Sequence, residues 1–462
     1  MATSSVSIDE RTEQGFAPAV TPGSLVLAVA IPLLFLHVHY QPGFDVHVGS
    51  ATATAYLSDF AVLAVVLVAL WSGIRDGFAP LARGRWLWLA IGLFFVWAFF
   101  EVGYGRARTS GYPWTTHGVS AAKFAEYALL APALPLLIRR ARDLVLPLWS
   151  LVLWCTFATL VGVLQFFDVR IFLWALAWNR EASFLGDSDF AALAGATLLA
   201  GIVALAVPGL RLGRLVAIAG TVSGAIGVVL AGSLASILGL FLALVAYAIV
   251  LVVRGDVSPA RLAAVGAIGL VVAAGAAAIR GNDLRSFGRF LGADVGQHQT
   301  QQRHVQTYAH HTLLAWLGFQ IWKGHPLLGV GWRGDEDPVN FVPYLAAAHR
   351  RFPGESPLSF PSSAPDRRYG IQNIWIEALA DLGVVGFALW LGTFAVAVWL
   401  SATTAVRLGP ATAFIGLGWT LLVVGLFLAQ DFVAGIPLDA VTWLGLGLAG
   451  TLPAAKAASV PA

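Results

Sequence analysis

Residues 368–387 read RYGIQNIWIEALADLGVVGF, and the apolar run that starts inside them, Gly383–Leu400, has the length and composition of a membrane-crossing helix. Just ahead of that run, Asn373, Glu377 and Asp381 recur every four residues. Helical spacing puts all three on one face. A polar stripe at the mouth of a membrane helix is costly unless it faces water, a cavity or a bound substrate. What the stripe faces therefore decides both the fold and the site.

The rest of the chain is equally apolar. Of its 462 residues 58% are hydrophobic and 11% charged, with mean hydropathy +0.77; soluble chains carry roughly a quarter charged residues. The sequence predicts an all-α polytopic membrane protein of about twelve spans. These fall near 24–38, 54–73, 84–101, 118–138, 143–165, 188–207, 213–232, 234–253, 259–279, 383–401, 411–429 and 438–453. Arginines then sort the short loops: Arg75, Arg83 and Arg85; Arg139, Arg140 and Arg142; Arg211 and Arg214; Arg254 and Arg261; and Arg407. The excess of positive charge in cytoplasmic loops puts this set, and both termini, inside. The expected organisation is a cytoplasmic tail 1–23, nine spans over 24–279, a large extracytoplasmic loop 280–372, three spans over 373–453 and a cytoplasmic tail 454–462. The N-terminal stretch is polar and partly acidic, unlike a cleaved signal peptide, so the first span is expected to stay in the mature protein. The net charge of +3 reflects topology signals and implies no nucleic-acid partner. The single cysteine, Cys155, excludes an intrachain disulfide and reads as core packing.

The long loop is too rich in Trp, Arg and His for disorder. Within it, His310–Trp322 reads as a helix with Leu313, Leu314, Leu317 and Ile321 on one side and a stop at Lys323–Gly324. That helix either lies along the membrane surface or packs on a small core of the loop itself. Gly220 and Gly224 suit close helix packing.

GVGWRG, residues 329–334, spells a dinucleotide fingerprint but lacks the preceding strand and following helix that the motif needs. No Walker loop, HExxH or CxxC occurs, and no His or carboxylate group stands at ligand spacing along the chain. No cofactor and no metal are expected. What remains on the outer side is cationic: Arg170, Arg180, Arg280, Arg285, Arg289 and Arg303, followed by His310, His311 and His325. Singly, each such arginine reads first as an interfacial anchor or loop ion pair. Together they suit an anionic substrate, because the planar guanidinium makes paired hydrogen bonds to phosphate.

Three stretches resemble the O-antigen ligase and O-antigen polymerase superfamily: REASFLGDSDFAALAG, WLGFQIWKGHPLLGVGW and the opening quotation, whose Gln372–Asn373 stands where the family has a His-Asn pair, with Gly383 and Gly386 after it. The resemblance implies a type C glycosyltransferase fold, with the large loop between the ninth and tenth spans. It also implies a bacterial inner-membrane enzyme whose site faces the extracytoplasmic side. Such an enzyme moves a glycan from an undecaprenyl-diphosphate carrier to a glycan or glycolipid acceptor, inverting and without metal. Arg180 and Arg303, with Arg289, are the implied diphosphate ligands; Gln372, Asn373, Glu377, His310 and His311 are the candidate catalytic residues. The chain departs from the family at two points. Gln372 cannot accept a proton near pH 7, and Ser233–Leu234 stands where many relatives carry Ser-Arg. Either the base has moved, to Glu377 or a histidine, or positioning and leaving-group activation carry the reaction. The competing readings are a transporter or flippase of lipid-linked saccharides, which predicts an internal symmetry the sequence lacks, and a binding protein that kept the fold without the base.

Overall fold

The computed structural model describes residues 20–49, 51–169, 171–172, 183–207, 210–255, scattered positions from 260 to 278, 306–352, 370–432 and 436–451. The described elements are α1 (Pro22–Leu34), the hairpin β1 (Gly43–Val48) and β2 (Ala51–Tyr56), and then α2 (Leu57–Asp76), α3 (Arg85–Arg108), α4 (Trp114–Ala128), α5 (Leu130–Leu137) and α6 (Val145–Phe166). They continue with α7 (Asp187–Ala206), α8 (Arg214–Ala231), α9 (Leu234–Arg254), α10 (Gln306–Gly324), α11 (Pro338–Arg351), α12 (Ile374–Leu408), α13 (Ala411–Leu426) and α14 (Ile436–Gly450).

Among the described residues, eight helices are long and apolar enough to cross a membrane. They coincide with eight of the twelve expected spans. Three other expected spans fall on shorter helices. The first, 24–38, is the 13-residue α1, the last, 438–453, is α14, and 118–138 is split into α4 and α5. The split has a local cause: Pro132 has no N–H to give to Ala128, and its ring crowds that carbonyl. Of the ninth, 259–279, twelve positions between 260 and 278 are described, all of them helical.

One element was not foreseen. ATATAY, residues 51–56, whose last three were expected to begin the second span, pairs antiparallel with β1 in the register Gly43↔Tyr56 to Val48↔Ala51. The β-branched threonines and Tyr56 suit a strand, and the helix starts only at Leu57.

Small residues set the helix packing, as expected in a membrane where close approach supplies most of the attraction. A Cβ on Gly224 would stand 2.6 Å from Leu198 N, which presses α8 onto α7; Gly239 meets the Leu422 carbonyl and presses α9 onto α13. Cys155 is buried in this core.

The arginine-marked loop ends meet one another. Arg139 donates to the carbonyls of Ser72, Asp76 and Gly77, Trp149 donates to Leu212 O, and Arg254 donates to Ala405 O at 2.7 Å. A second, small core lies apart from the main one. There Leu313, Leu314, Leu317 and Ile321 of α10 pack with Val330, Phe341, Ala348, Ile371 and Ala380. The amphipathic helix therefore covers the loop's own core, the second of the two placements its pattern allowed.

Candidate functional site

The polar stripe and the GVGWRG turn form one structure. At Gly383, φ 63 and ψ −173 break α12 into two helical stretches. Such a break frees carbonyls that the next turn would have bonded. Here Ala380 O accepts from Val330 N (3.0 Å), Asp381 O from Gly331 N (3.0 Å) and Leu382 O from the Trp97 indole (3.1 Å), while Val384 N donates to Pro326 O (2.9 Å). The loop backbone thus replaces the lost helical bonds. Only glycine fits this docking: Gly383 and Gly329 both have positive φ, and a Cβ on either would strike the opposing carbonyl, Leu327 O and Asp381 O respectively.

The turn continues into the protein. Trp332 is fully buried among Phe124 and Phe432 and donates to Ser120 Oγ (3.0 Å), and its carbonyl accepts from Tyr112 OH (2.6 Å). Arg108 reaches Gly329 O (3.2 Å) and the ring of His325, which burial and then the neighbouring Arg108 charge hold below the usual histidine range. Arg333 sits in the left-handed region at φ 56, fastened to Glu336 through Nε (2.9 Å) and through a second guanidinium contact. Burial disfavours its charge, but the Glu336 carboxylate and its hydrogen bond, with Glu377 and Asp431, more than offset this and raise its pKa.

Around Arg333 the carboxylates stitch four segments together. Asp381 Oδ1 accepts from Asp335 N (2.9 Å), Asp335 Oδ2 from Ile371 N (3.0 Å), Glu377 Oε2 from Phe432 N (3.1 Å) and Asp431 Oδ1 from Gln372 N (2.6 Å). Burial, then Glu336 and Asp431, push the Asp335 carboxyl up to about 8; burial raises Asp431 to about 6 against the pull of Arg333. The stripe therefore faces protein: Glu377 and Asp381 are buried under the turn 329–337 and the segment 431–432. Asn373 caps α12, accepting from Ile376 N (3.2 Å) and donating to Leu428 O (3.3 Å). Gln372 holds a left-handed conformation, φ 53, at the entrance to that helix.

The expectation that no carboxylate group stands at ligand spacing is corrected here. One oxygen each from Asp335, Glu377 and Asp381 lie within 4.8 Å of one another. The chain pattern concealed this because Asp335 reaches α12 only through the docked turn. Of the other candidates, His310 and His311 lie in α10, the side chain of His310 being outside the described residues. Arg180, Arg289 and Arg303 also lie outside the described residues. Sequence reasoning passed over Arg333, Asp335 and Asp431. The acidic run Asp335–Asp337, directly after a glycine turn that fits no cofactor, was the available signal.

The fold is that of a multi-pass α-helical membrane protein in which the segment 326–337 is anchored to α12 through a polar centre. Residues 219–391, a little over a third of the chain, match the family described as O-antigen ligase, which supports the likeness to the O-antigen ligase and O-antigen polymerase superfamily. The matched segment contains both the docked turn and the kink at Gly383. The family indicates a glycosyltransferase-like ligase or polymerase of polysaccharide biosynthesis that uses a lipid-linked glycan donor and a glycan acceptor. No curated protein matches the chain.

Proposed function

We propose that the chain transfers a glycan from an undecaprenyl-diphosphate carrier to an acceptor hydroxyl at the outer face of the bacterial cytoplasmic membrane. The observation that carries this reading is the O-antigen ligase match over 219–391. The acceptor oxygen attacks the anomeric carbon from the face opposite the diphosphate, which inverts that centre and expels the carrier. Arg180 and Arg303, with Arg289, hold the diphosphate as its charge develops, so no metal is needed at the reacting carbon. Fixed cations in a water-poor site suit this task, and removing one comparable donor costs about 10²–10³ in rate. Glu377 is already engaged by Phe432 N and neighbours Arg333, Asp335 and Asp431. That engagement favours a positioning role for Glu377 and leaves the acceptor's proton to His310 or His311 of α10. Asn373 and Gln372 shape the entrance to the site, Asn373 by capping α12.

The test is transfer by purified, reconstituted protein from a polyprenyl-diphosphate-linked glycan. Arg180→Ala should lose about 10²–10³ in turnover while remaining folded and membrane-inserted. Arg180→Lys should recover only part of it, because a lysine cannot make the paired bonds. Wild-type rates in both variants at saturating donor would remove Arg180 from the site. No transfer by the wild-type protein would defeat the reading as a whole.

A further inference from the structure

Where the turn 331–337 meets α12, Asp335, Glu336, Glu377 and Asp431 surround one guanidinium, that of Arg333, and Asp381 adjoins Asp335 and Glu377. Arg333 is spent largely on Glu336. Asp335, Glu377, Asp381 and Asp431 each accept one backbone N–H through a single oxygen. Proximity among buried acids does not by itself make a site. The second observation is that Asp335 Oδ1 and Asp381 Oδ2 are buried with no hydrogen-bond donor, on residues only 2% and 0% exposed. These two carboxylates also belong to the trio whose oxygens lie within 4.8 Å of one another. Facing carboxylates without another donor are relieved either by a proton shared between them or by a cation held between them.

We propose that Asp335, Glu377 and Asp381 bind one hard divalent cation, which fastens the large loop to the first half of α12. The ligand set is all carboxylate oxygen, with no His or Cys in the cluster, which selects Ca²⁺ or Mg²⁺ over the softer transition metals. Two oxygens on opposite sides of a Ca²⁺ stand roughly 5 Å apart, at ligand distances of about 2.3–2.6 Å, so the observed spread needs no rearrangement. A cation here joins elements that are otherwise held by the backbone bonds at the kink: Asp335 comes from the turn, Glu377 and Asp381 from the helix. The site is structural and does not depend on which reaction the protein performs.

The experiment uses the full chain in detergent, stripped with chelator and then dialysed against Ca²⁺ or Mg²⁺. Bound metal and thermal unfolding are both measured. The expected result is saturable binding of about one cation per chain, a rise in melting temperature on binding, and affinity at least about ten-fold weaker in Asp335→Asn. Absence of stoichiometric binding and of any cation-dependent shift in the wild-type protein would overturn the proposal. So would an unaltered shift in Asp335→Asn, which would put the metal elsewhere. A proton shared by Asp335 and Asp381 is the physical rival. It predicts that Asp335→Asn, whose amide can donate to Asp381, melts at or above the wild type with no response to metal; that outcome also overturns the cation. The wild-type binding measurement stands even if a variant fails to fold.

Discussion

Replacing Gly383 with alanine tests the docking on which the site depends. At φ 63 and ψ −173 the backbone is in a region that is essentially glycine's own, where a side chain costs about 1–3 kcal/mol. The new Cβ would also strike Leu327 O, so the turn 326–331 must move away. Three backbone bonds depend on that approach, from Val384 N, Val330 N and Gly331 N. At about 1 kcal/mol each, with the strain added, the expected loss is about 4–6 kcal/mol. Gly392 in the same helix supplies the control, because a Cβ there meets nothing within 4 Å and alanine should gain about 0.5–1 kcal/mol. The assay is thermal unfolding in detergent followed by tryptophan fluorescence, paired with limited proteolysis of the loop. Gly383→Ala should melt well below the wild type and expose 326–337 to protease, while Gly392→Ala should do neither. If the two variants melt together and are cleaved at the same rate, the loop is not held by the kink.

Three further outcomes are expected. Glycan transfer after chelation, measured well below the melting temperature, should continue at a similar rate per folded molecule; a loss restored by Mg²⁺ would assign a metal to the chemistry itself. His325 accepts from Arg108 at 2.7 Å, and burial and that charge depress its pKa. Its neutral form is therefore favoured in the fold, so its contribution is present above the unfolded value near 6.5 and lost as pH falls through the lower folded value. Melting temperature should accordingly drop on acidification more steeply in the wild type than in His325→Asn, and equal slopes would exclude this pair. Cysteines placed at the exposed Arg350 and Arg140 should react with an impermeant thiol reagent from opposite sides of the membrane, against a silent background because Cys155 is buried; reaction of both from one side would reverse the topology.

The sequence by itself determined the helical membrane class, the approximate places of the spans and the amphipathic face of α10, because these follow from composition and from periodicities within one segment. It also marked the family, through motifs that are each continuous in the chain. It misplaced the start of α2 at a hairpin of alternating Ala and Thr, and it ran α4 and α5 together across Pro132, errors of local competition between neighbouring conformations. It gave the glycines of PLLGVGW and DLGVVG without their common purpose, since each set makes sense only when the backbone of one meets the backbone of the other. Only the tertiary structure decided what Asn373, Glu377 and Asp381 face. Spacing fixes which residues share a helical side, but the partner on that side, here Arg333 and Asp335 from the turn and Asp431 from beyond α13, arrives through contacts far apart in sequence. Burial then sets the charge balance: carboxylates that would be ordinary surface acids along an open helix become, under the docked loop, a concentration of negative charge that one arginine does not neutralise.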